Sequence, residues 1–176
     1  MIYKFRIISS ENDDFIREVA IDSHSTFLEL NNFILEELGY EKSQITSFFI
    51  TDRNWHKETE ITLIDMTEGQ DPEIKVMDKT KLDELITEKK QRLLFVFDQF
   101  AERSLFLELF AMEDKVIEKP VCTRREGEPP PQFDKNAIEE LDPDDLDPDE
   151  LMNNDDSDAF GDEDDNLNPF DEEDWY

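Results

Sequence analysis

The sequence contains few of the residues from which disulfides, zinc sites and nucleotide-binding loops are built. Its 176 residues include one cysteine, two histidines and four glycines. A single cysteine excludes an intramolecular disulfide, and without Cys-x-x-Cys or His-x-x-x-His spacing we expect no structural zinc site. The glycines form neither Gly-x-Gly-x-x-Gly nor Gly-x-x-x-x-Gly-Lys, the loops that cradle nucleotide phosphates. The sequence therefore predicts no cofactor, no metal centre and no catalytic residue of a known class.

Positive charge is also scarce. There are 18 Lys and Arg residues against 48 Asp and Glu residues, which gives a formal net charge of −30. A chain with this charge repels phosphate backbones at long range, so direct nucleic-acid binding is disfavoured. We expect instead a protein partner with a basic surface.

Long apolar runs are missing as well. No stretch approaches the roughly 20 apolar residues that a membrane helix requires. The first residues, Met1 to Arg6, lack the apolar core and the small-residue cleavage site of a signal peptide. These features predict a protein without a membrane segment, and the expected location is cytoplasmic.

The acidic charge is concentrated at the C-terminal end. Residues 134–176 contain 20 Asp and Glu residues and one Lys, a net charge of −19, whereas residues 1–133 carry −11. Three consecutive prolines, Pro129 to Pro131, mark the boundary, because a proline run stops regular structure. Low hydrophobicity combined with high net charge is typical of disorder. We therefore predict a folded domain over residues 1–133 and a disordered acidic tail over residues 134–176.

Residues 1–133 have the periodicities of an α+β domain. Apolar residues alternate over residues 2–8 and 15–21, which predicts a β-hairpin. Helical spacing follows from residue 27 to 38, with Ser25 or Thr26 as N-cap and Gly39 as the stop. Two strands are predicted next, within residues 47–51 and 55–63.

The second half of the domain repeats this pattern. After a loop over residues 65–78, Asp78 or Thr80 is expected to cap a short helix. The run 93–98 is apolar on both faces and predicts a central strand, with residues 104–112 as its neighbour. The order is ββαββαββ, which indicates a mixed or antiparallel sheet with helices packed on one face.

Several segments of residues 1–133 resemble the plasmid pRiA4b ORF-3-like family, which is also described as TnpR-like. These are the opening hairpin, the helix from Thr26 into Gly39-Tyr40, the strand Leu93–Asp98, and the segment Pro120–Glu128 before the prolines. Family members commonly continue that strand into an Asp-Phe-Gly-Asp-like turn followed by Trp and His. Here the turn reads Gln99-Phe100-Ala101-Glu102-Arg103. The family label associates the chain with transposons and recombination, but the nucleophilic Ser and supporting Arg residues of a serine resolvase have no counterpart here.

One hypothesis places a small-ligand or catalytic cleft on the sheet, lined by Trp55, Asp98, Glu102 and Arg124. Asp98 and Glu102 have the chemistry of a general acid–base pair. The alternative is that Asp98 ends a strand and accepts hydrogen bonds from turn amides. Trp55 can equally be an aromatic side chain packed over the sheet.

Cys122 has two interpretations. It precedes Arg124 and Arg125, and nearby cations can lower the pKa of a thiol and make it reactive. The alternative is an inert, half-buried loop residue at the edge of the sheet.

The phenylalanines of the domain are predicted to supply its core, since burying each contributes on the order of 1.5–3 kcal/mol. They are Phe48, Phe49, Phe95, Phe97, Phe100 and Phe106.

The tail combines acidic runs with isolated aromatic residues. Five-residue repeats of Leu, Asp, Pro and two further acids fill residues 141–150, and aromatic side chains follow at Phe160, Phe170, Trp175 and Tyr176. A tail that only solvates the protein needs no aromatics, whereas docking peptides use charge for steering and aromatics as anchors. The leading hypothesis is a non-enzymatic protein-interaction module whose tail binds basic partner surfaces.

Overall fold

An eight-stranded mixed β-sheet with two helices organises residues 1–134, the part of the chain that the computed structural model describes. The elements in chain order are β1 (Ile2–Ser9), β2 (Ile16–Asp22), α1 (Phe27–Leu38), β3 (Ser47–Thr51), β4 (Lys57–Thr62), β5 (Lys75–Val76), α2 (Leu82–Leu85), β6 (Arg92–Asp98), β7 (Arg103–Glu113) and β8 (Val121–Glu126). The strands lie in the order β5-β4-β3-β6-β7-β1-β2-β8. Neighbouring strands are antiparallel except β4 and β5. The expected class is confirmed as a single sheet-dominated domain.

The expected order ββαββαββ is wrong in detail, because the sheet contains two further strands. β5 lies within the predicted loop 65–78 and is too short to show a period. β8 holds Cys122, which was expected in a loop. It is an exposed edge strand that pairs with β2, and with neither face buried it needs no alternation of apolar residues.

The predicted ends of α1 are confirmed. The Glu29 backbone N–H donates to Thr26 Oγ1 at 3.2 Å, and the Thr26 N–H donates to the Glu29 carboxylate at 2.7 Å. This reciprocal pair is a capping box. Gly39 ends the helix with φ of 68°, a left-handed conformation that favours glycine.

The short helix α2 is capped by neither predicted residue: its N-cap lies one residue after Thr80 and three after Asp78. Its N-cap is Lys81, whose backbone N–H donates to the Glu84 carboxylate at 3.2 Å. Thr80 is buried, and its carbonyl accepts a hydrogen bond from the Phe27 N–H at 3.0 Å. The start of α2 is therefore fastened to the first turn of α1.

Both helices contribute to one core on one face of the sheet. Phe48, Phe95 and Phe97 are buried there as predicted. β6 is central, and its alternate residues Leu94 and Val96 are buried on the opposite face. The two apolar faces expected of this strand are thus confirmed.

The other phenylalanines predicted for the core lie elsewhere. Phe49 and Phe106 are half-buried on the opposite face, where the Lys57 ammonium lies 4.5 Å from the Phe49 ring and Trp55 packs edge-on against Phe106. Phe100 is fully exposed. It occupies the turn after β6, beyond the strand that would have directed its side chain into the core.

Candidate functional site

Three loops meet at one end of the sheet and form an open groove. They connect α1 to β3, β4 to β5, and β6 to β7, and the antiparallel register brings the start of β3 beside the ends of β4 and β6. The groove has a volume of about 450 Å³. This is within the roughly 300–1,000 Å³ of typical binding pockets.

The walls of the groove are apolar and exposed. Ile45 comes from the first loop, Ile64 and Met66 from the second, and Phe100 from the third. Their exposed fractions are 52%, 52%, 81% and 100%. Single exposed apolar residues are common, but a contiguous exposed cluster marks a binding surface.

The floor of the groove is polar and acidic. The Gln99 amide donates to Ser47 Oγ at 3.1 Å, and the Ser47 hydroxyl donates to the Glu60 carboxylate at 3.0 Å. Glu60 and Asp98 both line the groove, and no Lys or Arg is among the lining residues found in the described part of the chain. The groove therefore offers apolar contact together with negative charge.

Two carboxylates fix the loops that carry the apolar side chains. Asp98 Oδ1 accepts hydrogen bonds from the backbone N–H groups of Phe100 and Ala101 at 3.2 and 3.1 Å. Asp65 accepts from the Thr67 hydroxyl at 2.6 Å and from the Thr67 and Gly69 N–H groups at 2.8 and 2.9 Å. These bonds, led by the Thr67 hydroxyl, lower the pKa of Asp65. Phe100 and Met66 are therefore presented by well-defined turns.

The geometry of Asp98 favours its interpretation as a turn residue. Besides the two turn amides, its carboxylate faces the Arg103 guanidinium at 3.7 Å. Glu102 lies in the same turn in the left-handed region, with φ of 53°, and its side chain is exposed. Asp98 lines the groove, whereas Glu102 is not among the lining residues in the described part of the chain.

The four residues of the hypothetical cleft occupy three separate places. Trp55 follows Thr51, which pairs with Arg92 at the start of β6, whereas Asp98 ends that strand. Arg124 lies on the edge strand β8 and pairs with Glu18 of β2. Asp98 and Glu102 share a turn, but the structure does not bring them together with Trp55 or Arg124.

The surroundings of Cys122 favour an inert thiol. Burial raises the pKa of the thiol, and the neighbouring Glu37 carboxylate raises it further. The Arg125 guanidinium, a cation of the kind that stabilises a thiolate, instead forms two hydrogen bonds to Glu37. The Cys122 Sγ–H points to the Arg124 carbonyl at 3.2 Å.

The described residues also bear on the predictions about metal sites and membrane segments, but not on those about the tail. Within residues 1–134 no three His, Cys, Asp or Glu side chains are arranged to hold a metal ion. Neither described helix is long and apolar enough to cross a membrane. The tail residues Phe160, Phe170, Trp175 and Tyr176 lie outside the described residues.

The groove residues Ile45, Ile64 and Met66 were not identified from the sequence. Ile45 and Met66 are single apolar residues between polar neighbours, Ile64 follows Leu63 just after a predicted strand, and Met66 lies in the predicted loop 65–78. Apolar residues at such positions are a weak signal for an exposed contact. Only the sheet register shows that three separate loops place them side by side.

Comparisons with known proteins identify a solved structure with the same fold and, separately, a family. The chain is similar to a protein of unknown function, MM3350 from Methanosarcina mazei Go1, whose crystal structure superposes with a TM-score of 0.54 at 18% identity, over 70% of this chain and 68% of that one. At this identity the similarity shows the fold alone. No curated protein matches the sequence. The model of the plasmid pRiA4b ORF-3-like protein family matches residues 1–140, and the chain therefore belongs to that family.

Proposed function

We propose that this protein is a non-enzymatic protein-interaction module, and that its groove binds a partner segment with apolar side chains flanked by Lys or Arg. The observation that carries the proposal is the exposed apolar wall. Burying side chains such as Phe100 and Met66 against a partner removes apolar surface from water, which is the main driving force of most protein association.

Charge complementarity selects the chemistry of the partner. Glu60 lines the groove without a Lys or Arg among its described lining residues, whereas Asp98, which also lines it, faces Arg103. Residues 1–133 carry a net charge of −11. A basic segment is attracted to this surface, and an acidic one is repelled. The apolar wall then provides affinity, while Glu60 and the net negative charge of the domain favour one class of partner.

The acidic tail extends the proposal to a second contact. Residues 134–176 carry a net charge of −19 and present Phe160, Phe170, Trp175 and Tyr176. Charge of this density accelerates the encounter with a basic surface, and aromatic residues are frequent anchors of interfaces. We propose that these four aromatics dock on the partner.

Selection from a random peptide library displayed on phage, against the full chain, tests the groove. We expect the selected peptides to combine apolar residues with Lys or Arg. The double variant Met66→Ser/Phe100→Ser should weaken their binding at least about tenfold, as expected when interface anchors are lost. Because both side chains are exposed, the variant should keep the stability of the parent protein.

The matched control is Val116→Ser, which removes an apolar side chain of similar exposure, 83%, outside the groove. Peptide binding should stay within about twofold of the parent value, as for a residue outside the contact. Selection of acidic peptides, or an equal loss in the control, would refute the proposed groove.

The tail is tested separately in the full chain by replacing Phe160, Phe170, Trp175 and Tyr176 with Ala. The ligands are basic proteins whose sequences contain a segment similar to the selected peptides. If the aromatics dock, this variant should weaken binding of such a protein and leave binding of the isolated peptide unchanged. Unchanged protein binding would remove the tail from the proposal and retain the groove.

A further inference from the structure

A second cavity lies at the opposite end of the β3–β6 strand pair and has a different chemistry. Its volume is about 360 Å³, and it is bounded by the loop after β3, the loop before β6, and Glu108 on β7. Four cations line it: Arg53, Lys89, Lys90 and Arg92. So many cations around one cavity are unexpected in a chain with 18 Lys and Arg residues against 48 acids.

The first wall is the turn Asp52–His56, held by one carboxylate. Asp52 Oδ1 accepts hydrogen bonds from the Asn54 and His56 N–H groups at 2.7 and 2.9 Å. The other oxygen, Oδ2, lies 2.8 Å from His56 Nδ1. The hydrogen bonds from His56, from its backbone and then its ring, lower the pKa of Asp52. Arg53 is thereby carried on a fixed turn.

The second wall is the loop Thr87–Gln91, held by one amide. The Thr87 N–H donates to the Gln91 side-chain oxygen at 3.0 Å, and the Gln91 side-chain nitrogen donates to the Leu85 carbonyl at 2.6 Å. The Lys90 N–H also donates to the Leu109 carbonyl at 2.7 Å. Lys89 and Lys90 therefore extend from a loop that is fastened to both α2 and β7.

Each wall contains one non-glycine residue whose backbone lies in the left-handed region. Trp55 has φ of 67° and Lys90 has φ of 68°. Non-glycine residues adopt this conformation rarely, and it persists where the surrounding structure enforces it. Such positions concentrate at binding sites and active sites.

Arg92 joins the two walls. Its guanidinium donates to the Arg53 carbonyl and, through Nε, to the Glu108 carboxylate at 3.1 Å. The guanidinium also lies 4.8 Å from the centre of the Trp55 ring. Arg92 is therefore committed to the framework of the cavity and neutralises Glu108.

The remaining cations have no ion-pair partner among the described residues. Within residues 1–134 the side chains of Arg53, Lys89 and Lys90 make no ion pair. Asp52 is bound to His56 and to turn amides, and Glu108 to Arg92. Glu88 is the one lining carboxylate without such a partner in this part of the chain.

We propose that this cationic cavity binds the phosphoryl groups of a small, multiply charged anion such as an oligophosphate. Three cations without an ion pair in residues 1–134 exceed what one carboxylate of a ligand would need, whereas adjacent phosphoryl groups supply several negative charges close together. A guanidinium matches phosphate oxygens in a bidentate geometry, and lysine ammonium groups add unspecific charge. Held loops reduce the entropy that is lost when the anion binds.

Isothermal titration calorimetry of the full chain with sodium tripolyphosphate, at fixed ionic strength, tests the site. We expect binding that weakens as salt is added. The double variant Arg53→Gln/Lys89→Gln should lower the affinity at least about tenfold, because charge-assisted hydrogen bonds are lost. The matched control Lys81→Gln/Lys119→Gln removes two exposed cations outside the cavity and should change affinity less than about twofold, as expected for distant surface charges.

Two further ligands define the class and the source of the anion. Citrate carries comparable charge on carboxylates and should bind more weakly than tripolyphosphate. ATP distinguishes a nucleotide from a free oligophosphate: tighter binding than tripolyphosphate indicates that the base is also recognised, and equal binding indicates the phosphates alone. The proposal is overturned if tripolyphosphate does not bind, if citrate binds as well, or if both double variants lose the same affinity.

Discussion

The two halves of the sheet use their charged residues differently. In the half formed by β7, β1, β2 and β8, every Lys and Arg makes an ion pair: Lys4, Arg6, Arg17, Arg103, Arg124 and Arg125. In the half formed by β5, β4, β3 and β6, Lys57 and Lys75 make none with residues 1–134, and Arg92 makes one. The first half, termed the saturated half, thus commits its charges to the fold. The second half, termed the open half, carries with its loops the groove, the cationic cavity and the cations that make no ion pair within residues 1–134.

The largest effect on stability should follow a substitution in the saturated half, at the point where the end of β8 contacts the β1–β2 turn. Gly127 follows β8 with φ of 65°, and a Cβ there would lie 2.4 Å from the Asp14 carbonyl oxygen. Gly127→Ala forces β8 and the β1–β2 turn apart as well as straining the backbone. We expect a loss of about 3 kcal/mol in the free energy of unfolding, measured by urea denaturation.

The control for this change lies in the open half. Gly69 has φ of 79°, but a Cβ at this position would have no neighbouring atom within 4 Å. Gly69→Ala should therefore cost about 1 kcal/mol, the backbone term alone. Equal losses in the two variants would show that the contact at Asp14 relaxes without cost, and the contrast between the halves would weaken.

Substitution of Glu37 should have the next largest effect on stability, because its carboxylate is the counter-charge of two cations of the saturated half. It pairs with Arg125, and its Oε1 lies 3.6 Å from Nε of Arg17, a buried atom without a hydrogen-bond acceptor. Glu37→Ala leaves the Arg17 guanidinium without a counter-charge and should cost about 2 kcal/mol. Glu36→Ala is the control: that side chain is 64% exposed and pairs with Lys42 at the surface, so the cost should stay below about 0.5 kcal/mol.

The pH dependence of this loss provides a second measurement. The hydrogen bond from Arg125 is the main cause that lowers the pKa of Glu37 below 4.5. A carboxylate with a lower pKa in the folded state stabilises the protein above the unfolded pKa, and the effect disappears as the pH falls through the folded pKa. Urea titrations should therefore show the difference between the parent protein and Glu37→Ala shrinking as the pH falls below 4.5 and on through the lowered folded-state pKa. A difference that stays constant to acidic pH would mean that the carboxylate charge contributes nothing.

Local signals in the sequence predicted the parts of the fold that local chemistry determines. Thr26 and Gly39 end α1 where capping residues must lie, and β6 is apolar on both faces because it is central. β8 has no comparable signal, since its pairing with β2 depends on residues about a hundred positions away. Phe100 was misassigned for a related reason: its type favours the core, but its place in the turn exposes it. The groove and the cationic cavity both depend on loops that only the sheet register brings together.

The smallest effect on stability should follow replacement of the cations of the open half that make no ion pair within residues 1–134. This measurement distinguishes charges that serve binding from charges that stabilise the fold. Arg53→Gln/Lys89→Gln should change the free energy of unfolding by less than about 0.5 kcal/mol. Arg6→Gln/Arg124→Gln deprives Glu18 of both partners and should cost more than that pair, although the loss stays small because these ion pairs are exposed. Thermal unfolding with and without tripolyphosphate extends the comparison. A ligand that binds only the folded state raises its stability in proportion to the logarithm of one plus the ratio of ligand concentration to Kd. The parent protein and Arg6→Gln/Arg124→Gln should therefore both gain, and Arg53→Gln/Lys89→Gln should gain little. A similar loss of stability in the two double variants would mean that Arg53 and Lys89 also stabilise the fold. Such cations would already have partners in the protein without ligand and would not be kept for binding.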